Sequence, residues 1–342
     1  MAPSVRDRFG RPLRSLRISV TDRCNLRCQY CMPEPEYAWL PRETLLSYDE
    51  LSTVAAAFMA QGASRLRLTG GEPLLRRNLP ALIERLAALT GLDDLAMTTN
   101  GVLLARQAAA LRAAGLRRIT VSLDTLHRAR FQALTGADEH AAVFAGIDAA
   151  ARAGFDSLKI DTVVLRGVND DELVEMIEFG RHVGAEVRFI EYMDVGGATR
   201  WTRDAVVPQR EMLARIAKTF GDVRAEGERG SAPAARYRLP DGTVFGVISS
   251  TTEPFCGACD RSRLTADGMW LMCLYARGGT DLRRPLRAGA TRADLEQLIA
   301  AVWTQRADRG AEERLAVDRR DVLIPVSALR KDAHLEMHTR GG

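Results

Sequence analysis

The sequence predicts an α/β protein built around a parallel sheet, on three observations. Short β-like runs alternate with amphipathic stretches of helical period. Several of those helical stretches end in glycine, as helices often do. The residues with unusual chemistry fall just after the strand-like runs, where α/β proteins place their sites.

The strand-like runs are LRISV (16–20), RLRLT (65–69), LAMTT (95–99), RITVSL (118–123), LKIDTVVL (158–165) and VRFIEYM (187–193), all rich in apolar and β-branched residues. Between them lie helical stretches such as LSTVAAAFMAQG, NLPALIERLAALTG, VLLARQAAALRAAG and DELVEMIEFGRHVG. Six strands with right-handed crossovers make either an open doubly wound sheet or part of a barrel. A cysteine cluster follows the first strand and GGEP the second. TTNG closes the third, SLD the fourth and MDVGG the sixth.

Near residue 195 the texture changes, which divides the chain into a core (1–195) and a C-terminal region (196–342). GERGSAPAAR (227–236) reads as a flexible loop and TVFGVISS as another strand, leading into PFCGACDRSRLTADGMWLMCLY. A helix is expected around RADLEQLIAAVWTQ, and MHTRGG reads as a disordered or loosely attached end. There is no internal repeat.

The 342 residues are 46% hydrophobic and 27% charged, ordinary for a globular protein. No apolar run reaches membrane-span length and no signal-peptide core follows the start, so a cytoplasmic location is expected. A net charge of +4 demands no nucleic acid partner. Of 48 Lys and Arg residues only Lys159, Lys218 and Lys331 are Lys. A coding sequence rich in G and C produces that bias, so a lone Arg says little.

Six cysteines form two groups of three, which in the cytosol suggests metal or redox chemistry rather than disulfides. Cys24, Cys28 and Cys31 fall within CNLRCQYC. Three thiolates hold three irons of a four-iron cube and leave the fourth open to a substrate or cofactor. The backbone amides of Arg27 and Gln29 could face the cluster sulfurs. The alternative is a zinc knuckle with a distant fourth ligand, but none of the five His lies near either group. Cys256, Cys259 and Cys273 form the second triad.

Cys24-x-x-x-Cys28-x-x-Cys31, with Tyr30 before the last Cys and GGEP (70–73) after the second strand, resembles the radical S-adenosylmethionine (SAM) enzymes. The second triad, with CDRSRLTADG inside it, is similar to the GTP 3′,8-cyclase family, which opens molybdenum cofactor biosynthesis. The resemblance runs nearly the whole length, through RLRLTGGEPLLR, KIDTVVLRGVND and RFIEYM to Gly341-Gly342. It implies an incomplete (β/α)6 barrel with a C-terminal extension and two 4Fe–4S clusters. In such enzymes SAM at the first cluster yields a 5′-deoxyadenosyl radical. That radical takes hydrogen from ribose carbon 3′ of GTP, and carbon 3′ then attacks carbon 8 of guanine. A second enzyme, cyclic pyranopterin monophosphate synthase, takes the product.

Carried over residue by residue, the resemblance implies that Cys24, Cys28 and Cys31 hold the SAM cluster, and that Tyr30, Gly71, Ser122 and Met193 line the SAM pocket. Cys256, Cys259 and Cys273 hold a cluster that faces GTP. Arg17, Arg67, Thr98, Lys159, Arg261, Ser262 and Arg263 contact the nucleotide. Arg17, Arg261, Arg263, Gly341 and Gly342 complete the catalytic set, the tail threading into the site where only Gly fits. A homodimer is plausible by family. Two positions depart from the family pattern: Arg340 replaces an apolar residue and Asp161 an Asn. No Walker-type phosphate loop occurs, so dispersed cations must hold the triphosphate. Arg188, inside an apolar strand, either joins them or pairs with a carboxylate such as Glu191. Two rivals remain: a peptide-modifying radical SAM enzyme with an auxiliary cluster, and a non-catalytic zinc-binding module.

Overall fold

The computed structural model describes residues 4–318 and 320–341. Six strands follow the predicted order: β1 (Ser15–Ser19), β2 (Arg65–Thr69), β3 (Asp94–Thr99), β4 (Arg118–Ser122), β5 (Ser157–Val164) and β6 (Glu186–Glu191). All are parallel neighbours in sequence order. The C-terminal part supplies β7 (Arg224–Ala225), β8 (Ala235–Arg238), β9 (Val244–Ile248), β10 (Arg261–Leu264), β11 (Met269–Leu271) and β12 (Thr280–Asp281). They complete one twelve-stranded sheet of order β12-β11-β10-β1-β2-β3-β4-β5-β6-β9-β8-β7. β10 pairs in parallel with β1, and β9 in parallel with β6. The result is a curved, unclosed barrel whose two margins are antiparallel ribbons.

Helices cover the outer face: α1 (Tyr48–Ala60), α2 (Leu79–Ala87), α3 (Ala108–Ala113), α4 (Arg128–Thr135), α5 (His140–Arg152), α6 (Leu173–Val183) and α7 (Gln209–Phe220). Their apolar stripes pack on the sheet in one core, from Leu16 and Ile18 through Val54 and Phe58 to Ile216 and Phe245. Each such side chain contributes roughly 1.5–3 kcal/mol when fully buried. Local signals set the ends. Ser47 and Glu50 form a capping box at α1, worth about 1 kcal/mol. Gly184 ends α6 in the left-handed conformation. After β12 come α8 (Arg283–Arg287), α9 (Arg292–Thr304), α10 (Gly310–Leu315), α11 (Val326–Leu329) and α12 (Met337–Arg340).

Three expectations are corrected. VLLARQAAALRAAG is not one helix but a single 3-10 turn, Leu104–Arg106, followed by α3. α5 crowds it there: a Cβ on Gly146 would collide with the Gly101 carbonyl. The loop at 227–236 gives up Ala235 and Arg236 to β8. The end of the chain is not loose, for Met337–Arg340 form a helical turn in which His338, Thr339 and Arg340 are buried. His338 stands edge-on to Tyr37 and tilted to Trp39, both 5.4 Å between centroids. The Met337 amide donates to the Gly196 carbonyl at 3.0 Å.

Candidate active site

β1 ends in the tight segment that carries the first triad. The Cys31 and Met32 amides both donate to the Cys28 carbonyl, at 3.0 and 2.7 Å, and this turn draws Cys28 and Cys31 together. GGEP underpins the loop. A Cβ on Gly71 would strike the carbonyl oxygen of Arg23, so only glycine lets β2 approach the cysteine segment this closely. Glu72 is fully buried and accepts from the amides of Leu74 and Asn100 and from the Thr99 hydroxyl. Burial nonetheless lifts its carboxyl to about 7. The Arg27 and Gln29 amides do not face the sulfurs, as the spacing suggested. They donate to the Thr135 and Leu134 carbonyls at the end of α4. The Leu26 amide approaches Cys24 Sγ instead, at 3.5 Å, with Asn100 Nδ2 at 3.9 Å.

A cavity of about 1390 Å³, counting its mouth, opens inside the barrel. It brings together Arg17, Tyr30, Thr98, Ser122, Met193, Arg261, Ser262 and Arg263 with the whole second triad, Cys256, Cys259 and Cys273. Tyr30 donates to Asp124 Oδ2 at 2.8 Å. The SLD motif after β4 thus supplies Asp124 as well as Ser122. Seven predicted residues do not line the cavity: Cys24, Cys28 and Cys31, whose loop reaches it through Tyr30, and four others. Gly71 packs under the cysteine loop. Arg67 donates to the Thr98 and Thr120 hydroxyls at 3.0 and 3.2 Å. Lys159 lies 3.6 Å from Glu186. Gly341 offers its carbonyl to Arg263 at 2.5 Å, in a left-handed turn where a Cβ would collide with Thr69. Gly342 lies outside the described residues.

Strand register explains the cations. Arg17 is level with Arg263 on β10 and with Arg67 on β2, so three guanidinium groups form a row across adjacent strands. Burial first, then Arg263, Arg67 and Arg261, push Arg17 well below the usual range, with Asp161 opposing. Burial and Arg261 bring Arg263 down to about 10. Burial and Arg188 bring Lys159 down to about 8. Such a cluster of like charges is unfavourable until an anion joins it. The Ser262 hydroxyl and Asp161 Oδ1 are buried in the same wall without a hydrogen-bond partner. Arg188 pairs with Glu186 at 2.8 Å, not with Glu191. Glu191 instead accepts the amides of Gln209, Thr251 and Thr252.

The donor sets suit iron–sulfur clusters. The first triad offers three thiols in one compact loop and the second brings Cys273, after β11, to the turn that carries Cys256 and Cys259; backbone amides approach sulfurs of both. Among the described residues no group of three or more His, Cys, Asp or Glu is arranged to hold a single metal ion. At the second triad, burial would raise Cys259, but Arg261 and Arg306 outweigh it and bring the thiol down to about 7, toward the thiolate that binds metal. Gly310 packs against Cys273 Sγ at a spacing that a Cβ would narrow to 3.0 Å. Arg306 gave no sequence signal, since a lone Arg in this Arg-rich chain has none. Neither did Arg229, whose guanidinium stacks on Phe255 at 3.7 Å beside the cavity.

Fold and site define the class, an unclosed parallel barrel with a three-cysteine loop after its first strand. Residues 18–180 match the Radical SAM superfamily and residues 185–312 match Molybdenum Cofactor Synthesis C. A solved structure of Streptococcus suis SuiB bound to S-adenosylmethionine shares the fold at 15% identity, with a TM-score of 0.59 over 90% of this chain and 68% of that one. Curated relatives are nearer. The GTP 3′,8-cyclase 3 of Mycobacterium tuberculosis is 59% identical, over 99% of this chain and 90% of its own. The GTP 3′,8-cyclase 1 of the same species is 56% identical over 100% and 98%. That of Acidothermus cellulolyticus is 49% identical over 92% and 90%. The chain belongs to the GTP 3′,8-cyclase family of radical SAM enzymes. A 4Fe–4S cluster and SAM are therefore its cofactors. Among the described residues, no helix is long and apolar enough to cross a membrane.

Proposed function

We propose that this enzyme cyclises GTP to (8S)-3′,8-cyclo-7,8-dihydroguanosine 5′-triphosphate, the first step of molybdenum cofactor biosynthesis. One observation carries the reading beyond the family: the row Arg263–Arg17–Arg67, joined by Arg261, crowds buried cations around one cavity. A triphosphate relieves that repulsion, whereas a peptide backbone brings no comparable charge.

In this reading Cys24, Cys28 and Cys31 hold the cluster that binds SAM, and Cys256, Cys259 and Cys273 hold a second 4Fe–4S cluster facing the guanine. With SAM bound, the cluster that Cys24, Cys28 and Cys31 would hold would supply the radical chemistry that starts the cyclisation. Tyr30, held by Asp124, and Ser122 and Met193 shape the SAM end. Gly71 keeps the cysteine loop seated on β2. Arg17, Arg261 and Arg263 grip the phosphates, and the Ser262 hydroxyl has a free hydrogen-bond capacity to spend there. Arg67 steadies Thr98 from behind, and Lys159 adds a charge at one further remove. The tail, through Gly341 on Arg263, closes the pocket beside the phosphates, and Gly342 belongs to the same catalytic set. Holding ribose carbon 3′ and guanine carbon 8 within one enclosed geometry is the main service to the ring closure. Residues 1–195 thus supply the radical end and residues 196–342 the guanine end.

The product passes to cyclic pyranopterin monophosphate synthase, in the cytoplasm, where thiols stay reduced. A homodimer belongs to the same reading, and sedimentation of the anaerobic protein tests it. The decisive experiment incubates the reconstituted protein anaerobically with GTP, SAM and a reductant, and weighs the nucleotide. A GTP-mass isomer formed together with 5′-deoxyadenosine is expected. 5′-Deoxyadenosine without any altered nucleotide would sink the proposal.

A further inference from the structure

The two triads differ most in what faces their sulfurs from inside the protein. Around the first, the neutral polar groups are the Leu26 amide and the Asn100 side chain on Cys24 and the Tyr30 hydroxyl beside Cys28. The charged groups nearby are Asp124, Glu72 and Glu336, all carboxylates, with Arg27 their opposite. Around the second, two guanidinium groups reach Cys259. Arg261 comes from the cavity wall, its NH2 3.5 Å from Sγ. Arg306, just beyond α9, comes from the interior, its NH2 3.7 Å from Sγ and its NH1 3.2 Å from the Cys259 carbonyl.

Arg306 is 2% exposed. An arginine so deep needs partners. Asp308 takes its Nε at 2.7 Å and NH2 at 3.2 Å. Asp7 stands 4.0 Å off and is already occupied by Arg11 and two backbone amides. Trp303 stacks on the guanidinium at 4.5 Å. What remains of its donor set goes to Cys259. That is more directed than fold maintenance requires, since Asp308 alone would neutralise the charge.

We infer that Arg306 is a positioning residue that hydrogen-bonds the Cys259 sulfur and raises the reduction potential of the C-terminal cluster. Reduction adds negative charge to a cluster and its thiolates. A fixed cation donating to one of those sulfurs favours the reduced form, and burial strengthens the effect. Carboxylates stand near both triads, Asp124, Glu72 and Glu336 at the first and Glu312 and Asp308 at the second, but among the groups named no buried cation donates to a sulfur of Cys24, Cys28 or Cys31.

The inference rests on the proposal that the second triad holds a cluster, and an iron count separates the two claims. The background is the full chain with Cys24, Cys28 and Cys31 each changed to Ala, so that only C-terminal iron remains. The midpoint potential is read by anaerobic EPR-monitored titration, without GTP or SAM. Arg306→Gln is expected to lower the reduced-to-oxidised ratio at fixed potential about tenfold, equal to about 59 mV for one electron. In the reciprocal background, with the second triad changed to Ala, the same substitution leaves the N-terminal potential where it was. No C-terminal iron in the unsubstituted background refutes the cluster proposal itself. Iron retained with an unmoved potential, or equal shifts in both backgrounds, refutes the role of Arg306 alone. If Arg306→Gln fails to hold iron, Arg306→Lys carries the test. It keeps the charge beside Asp308 but loses the forked donor, and a potential matching the parent overturns the inference.

Discussion

Cys28 and Cys31 look toward Asp124 and Glu336, whereas Cys259 looks toward Arg261 and Arg306. Burial and the neighbouring negative charges hold the first pair well above the usual thiol range. The same burial at Cys259 is outweighed by the two arginines. Cys256 and Cys273 are raised by burial like the first triad's thiols, so the contrast between the triads is concentrated at Cys259. The first is local in sequence, made by one turn after β1. The second is assembled from distant pieces: the 3-10 turn Cys256–Ala258, β10, the segment after β11, the residues just beyond α9 and the start of α10. A cluster's protein surroundings set its character as much as its ligands do.

The largest expected effects separate the triads outright. In Cys24→Ala, 5′-deoxyadenosine formation should vanish while the C-terminal irons stay. In Cys273→Ala, SAM cleavage should persist while the cyclised nucleotide is lost. Loss of SAM cleavage in Cys273→Ala would show the triads to be one structural unit and dissolve the contrast. Next comes the cation row between them. Arg17→Ala removes at least one charge-assisted contact, and kcat/KM for GTP should fall by about 10- to 100-fold with iron content intact. Unchanged turnover at low GTP would take Arg17 out of the site.

A smaller effect is expected at the tail. In Gly341→Ala the added methyl meets Thr69 and the residue's left-handed turn is disfavoured. Nucleotide product should fall by about tenfold relative to 5′-deoxyadenosine, at a cost of about 1.4 kcal/mol. An unaltered ratio of the two products would leave the tail without a part in cyclisation. The mildest test is pH. Lys159 is held down to about 8 by burial and Arg188, with Glu186 opposing. It is cationic below that pH and neutral above it, so kcat/KM for GTP should decline as pH rises through about 8. Lys159→Arg keeps its charge and should flatten that limb. A profile identical in both proteins would detach Lys159 from nucleotide binding.

Much of this was legible because it is local. The cysteine loop, GGEP and the SLD motif each sit within a few residues of a strand end, and the strand pattern placed those ends to within one residue. What escaped was made by approach across the sequence. MHTRGG has the composition of a loose end, yet Tyr37 and Trp39 form a box for His338. Arg340, out of pattern as an apolar position, donates to the His334 and Leu274 carbonyls at 2.5 and 2.7 Å, beside Cys273. Asp161 turns out to be the carboxylate that offsets Arg17 and Arg67. Arg188 found Glu186 two residues away rather than Glu191, because alternate residues of a strand share a face. No pattern in a single chain marks Arg306, whose partner Cys259 is 47 positions distant.

The pairing of β1 with β10 has a consequence for biosynthesis. During translation β1 leaves the ribosome early, and β2 can join one side of it, but its other side stays bare until Arg261–Leu264 has emerged. Long-range parallel pairing closes slowly, and an unpaired strand edge invites association with other nascent chains. Productive folding should therefore gain from holdase chaperones and slow, cool growth.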